Sequence, residues 1–167
     1  MHSSADVITI DLPSDMRRGS EESYGTDEAY FMDRDDIGRL FKASAEESRI
    51  RQIYADSMSK ECQIYLDAFL KNRKLDFAFI DAAHDYESVK HNFENLVQPK
   101  MAESGVVLFD DYNRPLTHVG VSHFLMRKAH DGDHVFYWYA PHGNQTSCVI
   151  FVNVHEARSY DWKGTVS

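Results

Sequence analysis

Residues 74–86, KLDFAFIDAAHDY, hold an apolar run that stops at Asp81, with His84 and Asp85 close behind. A second run, GVVLFDDY at 105–112, stops at the pair Asp110–Asp111. Two more stop the same way: ADVITIDLP at Asp11, and RIRQIYADS at Asp56 and Ser57. Carboxylates gathered together repel one another unless a cation or a shared proton relieves them. Oxygen-only ligation suits a hard divalent ion, Mg2+ first, with Ca2+ or Mn2+ as alternatives. Imidazole titrates near neutrality, so His84 is a candidate general base, and equally a structural residue satisfying loop carbonyls. Aspartate also opens loops well, so each acid taken singly has an ordinary reading; Asp111 can simply cap the turn that follows it.

The elements that must position these groups follow from apolar periodicity. ADVITIDLP, RIRQIYADS, LDFAFID and GVVLFDDY read as strands, and LDFAFID is apolar enough for both faces to be covered. SKECQIYLDAFLKN reads as a helix capped by Ser59, with Ile64, Leu66, Phe69 and Leu70 as its stripe. DYESVKHNFENLVQPKM is a second helix, burying Val89, Phe93, Leu96 and Val97, and THVGVSHFLMRKAH a third. HVFYWYAP and SCVIFVNV form two closing strands about a turn containing Gly143, close enough in sequence to be antiparallel. Between the first two strands lies a long polar segment, with a short helix expected over DRDDIGRLFKAS at 33–44.

Strands alternating with helices predict an α/β fold with a mostly parallel, doubly wound sheet. In such sheets ligands bind beyond the carboxyl ends of the strands, so the strand-terminal acids are expected to converge on one crevice. HDGDH at 130–134 reads as a solvated turn, His118 and His123 as helix-face residues, and Trp138 as packing.

Composition narrows the function classes. The 167 residues suit one domain, 1–167, with no internal repeat or linker. A formal charge of −9 argues against nucleic acid as a partner, since that affinity comes from Lys and Arg on phosphates. No run approaches the length needed to span a bilayer, and MHSSADVITI lacks the features of a secretion signal. Cys62 and Cys148 are read as reduced thiols, and a cytoplasmic location is expected.

The block from Leu75 to Pro115 resembles class I S-adenosylmethionine-dependent methyltransferases. The branch is that of small-molecule O-methyltransferases, whose pattern is D-hydrophobic-ID-x-x-H-x-Y … GG-hydrophobic-DDY. The likeness extends through VITIDLP and IRQIYADS to the final hairpin. It implies a Rossmann-like methyltransferase fold, with S-adenosylmethionine as cofactor and a small-molecule hydroxyl as acceptor. It further implies that Asp11 binds the ribose hydroxyls, that Asp56 and Ser57 lie beside the adenine, and that Asp81 belongs to the cofactor site. In metal-dependent members, the positions of Asp81, Asp110 and Asp111 hold a divalent cation, here expected to be Mg2+. His84 matches the loop histidine of the pattern.

Two departures accompany the resemblance. None of the eight glycines builds the G-x-G turn that the family places after its first strand, and MAESG stands where a Gly-Gly pair is common. The chain is thus expected to begin at the family's second strand. Three arrangements would account for this: a fragment of a longer methyltransferase, a short member that closes the gap differently, or a sheet completed by another chain. The last makes self-association attractive. A non-catalytic fold of the same type, binding a ligand without turnover, is the alternative function.

Overall fold

β-Branched residues dominate Val7–Asp11, which forms β1. The computed structural model describes residues 5–16, 32–110, 119–131, 134–139 and 148–153. They fall into two compact units, Met1–Asn72 and Arg73–Ser167.

In the first unit β1 pairs in parallel with β2 (Ile50–Tyr54), in register from Val7↔Ile50 to Asp11↔Tyr54. Register partners share a face and neighbours along a strand alternate, so Thr9, Asp11, Gln52 and Tyr54 lie on one side. Ile53, on the other, is 2% exposed. The expected helix is α1 (Lys60–Leu70), and the Ser59 hydroxyl accepts the Cys62 amide at 3.1 Å, as a cap should. Its buried stripe differs from the expectation. Cys62, Leu66 and Leu70 are inside at i, i+4 spacing, whereas Ile64 is 57% exposed, half a turn off the stripe. The helix stops at Lys71, in the left-handed conformation (φ 49°), whose amide bonds Asp67 O at 3.0 Å.

The helix expected over 33–44 does not form. Gly38 takes φ 75° and splits the segment into separate turns, closed by Ile37 N–H to Asp33 O and Lys42 N–H to Gly38 O. A left-handed residue cannot continue a right-handed helix. The front of this segment is tied back to the end of β1. Ser14 N–H bonds Met32 O at 3.1 Å, the Ser14 hydroxyl bonds Asp33 Oδ1 at 2.6 Å, and Arg34 pairs with Asp15 at 3.1 Å. The Arg34 guanidinium also stands 4.9 Å over the Tyr54 ring.

The second unit holds a four-stranded sheet in the order β3-β4-β6-β5. β3 (Leu75–Ile80) and β4 (Met101–Phe109) are parallel; β6 (Cys148–Asn153) is antiparallel to both β4 and β5 (His134–Tyr139), which confirms the closing hairpin. β4 starts at Met101 rather than Gly105. The register slips between Leu75↔Met101 and Phe77↔Val106, so MAESG is a bulged entry into the strand. A Cβ on Gly105 would come within 2.9 Å of Leu75 O.

Against this sheet pack α2 (Tyr86–His91), continued by a π-helical turn over Asn92–Val97, and α3 (Val119–Asp131). Ile80, Val89, Phe93, Val107, Phe109, Val121, Phe124 and Leu125 make the core, with Val97 packed against it. The rings of Phe93, Phe109 and Phe124 contact one another at centroid distances of 5.6–6.1 Å. β3 is not covered equally on both sides: Ala78 and Ile80 join the core, whereas Phe77 and Phe79 remain 57% and 50% exposed. No helix among the described residues is long and apolar enough to cross a membrane.

Candidate functional site

Parallel pairing decides which acids of the second unit are neighbours. Ile80 is in register with Phe109, and the Asp110 amide donates to Ile80 O at 3.1 Å. Asp81 and Asp110 are each one residue beyond this pair, so they emerge side by side at the carboxyl ends of adjacent strands. The expected juxtaposition of these two is therefore present. Asp111, the third acid expected there, lies outside the described residues.

His84 joins them from the β3–α2 loop. Its Nε2 is 3.4 Å from Asp81 Oδ1, an ion-pair distance when the ring is protonated and longer than a good hydrogen bond. The imidazole is 22% exposed and the carboxylate 46%, so the pair is sheltered without being closed off. Asp85 has a different task. Its Oδ1 accepts the Ser88 amide at 2.9 Å and caps α2, which fixes where the loop ends. From the far side the loop is met by α3: a Cβ on Gly120 would come within 2.3 Å of His84 O, Asp85 C and Tyr86 N. Tyr86 sets its ring edge-on to His123 and Phe124 of α3, at 6.2 and 6.1 Å.

Two carboxylates on neighbouring strands are an oxygen donor set suited to Mg2+, which is commonly held by one or two carboxylates with water or substrate completing its shell. The chemistry of the donors fits. Among the described residues no three His, Cys, Asp or Glu side chains gather into a metal-holding group.

In the first unit, Asp11 ends β1 half-buried. Gln52 Nε2 donates a short hydrogen bond to its Oδ2, as register and alternation place both side chains on one face. Burial pushes the Asp11 carboxyl above the ordinary 3.8, opposed by the hydrogen bonds from Gln52 and Thr9. Its carbonyl accepts the Ala55 amide at 3.1 Å, which steers the chain after β2 past the end of β1. Asp56 and Ser57 follow, both half-buried. Asp56 Oδ1 accepts the Met58 amide at 2.9 Å and its carbonyl accepts the Ser59 amide, so this acid shapes the turn that starts α1.

Three contributors escaped the sequence reading. Gln52 carried a signal in its alternation with Tyr54, but its partner depends on the β1–β2 register. Asp85 sits three residues ahead of Ser88, a legible capping spacing. Gly120 gave no signal, because close approach to a distant loop leaves no local trace. His118 and residues 132–133 of HDGDH lie outside the described residues; His123 is exposed on α3.

Residues 6–112 match the model of a family described as Methyltransferase domain. The chain belongs to that family. The matched span contains every candidate residue named above, from Asp11 to Asp111. Among solved structures, the methyltransferase chain is similar to an O-methyltransferase from Bacillus cereus in complex with SAH. The TM-score is 0.58 at 15% identity, covering 90% of this chain and 64% of that one. It is also similar to a Staphylococcus aureus protein assigned as a caffeoyl-CoA O-methyltransferase, with TM-score 0.54 at 15% identity, covering 89% and 65%. At such identity the likeness is one of fold, and it establishes the Rossmann-like methyltransferase architecture. The chain spans less than two thirds of the length of either structure. No curated protein sequence matches it.

Proposed function

We propose that this methyltransferase domain transfers the methyl group of S-adenosylmethionine to a hydroxyl of a small molecule, with assistance from a divalent cation, Mg2+ by preference. The observation that carries the reading is the adjacency of Asp81 and Asp110 at the ends of β3 and β4, with the His84 imidazole 3.4 Å from Asp81. Asp81 and Asp110, with Asp111 next in sequence, would hold the cation. Such an ion lowers the pKa of a hydroxyl bound to it and helps orient it.

The chain's own groups supply the rest. His84 Nε2 stands 3.4 Å from Asp81 Oδ1, which puts the imidazole beside the proposed cation site. The imidazole would take the acceptor's hydroxyl proton, while the hydroxyl oxygen forms a bond to the methyl carbon and the sulfur–methyl bond breaks. Asp11, an acid at a strand terminus with Gln52 fixing one oxygen, is suited to accept from the vicinal hydroxyls of a ribose. Asp56 and Ser57 would flank the adenine, Asp56 through the turn it builds. The likeness to a structure holding SAH supports the choice of cofactor. The reading takes residues 1–167 as one domain acting in the cytoplasm. The balance of −9 supports a small-molecule partner over nucleic acid.

A second reading is a methyltransferase-like fold that binds a ligand without turnover. Calorimetric titration with S-adenosylmethionine, with and without Mg2+, tests both. Saturable binding strengthened by Mg2+ supports the transferase. A flat trace in both titrations removes it.

A further inference from the structure

The β3–α2 loop is held at both of its ends. At the start, Ile80 is in register with Phe109 and its carbonyl takes the Asp110 amide. At the finish, the Asp85 side chain takes the Ser88 amide and its carbonyl takes the Val89 amide, at 2.9 and 3.1 Å. Between these anchors the first turn of α3 lies directly on the peptide groups of His84–Tyr86. A Cβ at position 120 would stand 2.3 Å from three atoms there, all of them backbone. Glycine is needed at this point for close approach of one backbone to another. A flexible side-chain tip would move aside, but a peptide group carries the rest of the loop with it.

α3 has little room to yield instead. Val121, Phe124 and Leu125 are at most 3% exposed in the core, and Lys128 pairs with Glu94 at 2.5 Å while lying over the Phe93 and Phe124 rings. Tyr86 is braced on His123 and Phe124. A group added at position 120 would therefore press on the His84 carbonyl itself and on the Asp85–Tyr86 peptide, and the His84 backbone would have to shift.

We infer that Gly120 is a positioning residue for His84: the bare first turn of α3 sets where the imidazole stands relative to Asp81. The functional meaning rests on the transferase reading above; the positioning itself does not. α3 thus supports the candidate catalytic loop directly as well as covering the sheet.

The test uses carbon–proton correlation spectra of the imidazoles in the whole chain, with signals for its nine histidines assigned by substitution. In Gly120→Ala the His84 signals move or split while those of His91, on α2, stay in place. Leu125→Ala, which loosens α3 in the core without adding an atom near the loop, lowers the melting temperature and leaves His84 in place. An unmoved His84 signal in folded Gly120→Ala overturns the inference, as does an equal shift in Leu125→Ala.

Should Gly120→Ala fail to fold, amide exchange on the wild-type chain decides. If α3 and the loop open together, Val89, bonded to Asp85, and Phe124 in α3 show protection within about tenfold of each other. A gap of about a hundredfold, with Val89 faster, overturns it. These outcomes are read without any methyl transfer. A His84 that moves in a protein that binds no S-adenosylmethionine would sink the transferase reading and leave the positioning role standing.

Discussion

The amide of Asp110 donates to the carbonyl of Ile80 at 3.1 Å, which locks the exit of β4 to the exit of β3. The contact is between backbones, so the side chain at position 110 can be exchanged without loosening it. Asp110→Ala should then keep the fold, with stability within about 1 kcal/mol of wild type in a denaturant melt. Mg2+ binding by calorimetry, and any stimulation of transfer by Mg2+, should be lost. Undiminished binding in this variant would remove the cation from the proposed chemistry.

In the proposed function Asp11 gives up stability for a contact with the cofactor's ribose. Burial raises its pKa above 3.8, so the folded chain holds this proton more tightly than the unfolded one. The carboxylate's cost is fully present above the raised pKa, and is relieved as pH falls through that value towards 3.8. Asp11→Asn should therefore melt higher than wild type at neutral pH, with the advantage vanishing below pH 3.8. The same variant should bind S-adenosylhomocysteine at least about tenfold more weakly, about 1.4 kcal/mol. Unchanged affinity would exclude Asp11 from the cofactor site.

Lys71 adopts φ 49° and Asn72 φ 70°, at the end of α1. A side chain in this region costs about 1 kcal/mol relative to glycine, and the Lys71 amide, which bonds Asp67, is retained in any substitution but proline. Lys71→Gly is expected to stabilise by several tenths of a kcal/mol or more, read from the urea midpoint at constant m. A loss of stability would show that the lysine side chain matters more than its backbone strain.

Ser59 supplies a side-chain acceptor to the first turn of α1, and Asp85 does the same for α2. Ser59→Ala should cost about 1 kcal/mol, as N-cap deletions typically do. Asp85→Ala should cost a similar amount of stability, about 1 kcal/mol, and also release the far anchor of the His84 loop. Its amide exchange at Ser88 and Val89 should then quicken more than elsewhere in α2.

The sequence made legible whatever depends on periodicity and short spacing. The strands ending at Asp11, Asp81 and Asp110, the Ser59-capped helix and the closing hairpin all follow from patterns within a few residues. The adjacency of Asp81 and Asp110 followed too, because parallel strands joined by a helix pair in a narrow range of registers. What stayed hidden depends on contacts between remote residues or on a single backbone angle. Gly38 breaks the expected helix through one φ value. Met101–Gly105 extends β4 because Leu75 offers it a partner. Ile64 lost its place in the core to Cys62, since the choice of helix face belongs to the packing around it. Gln52 became a partner of Asp11 only through the β1–β2 register.

Ser14, Asp15, Asp33 and Arg34 fasten the chain just after β1 to the stretch that leads into β2. The clasp works as a non-covalent crosslink: once it has formed, less chain entropy remains to be lost when β1 and β2 pair.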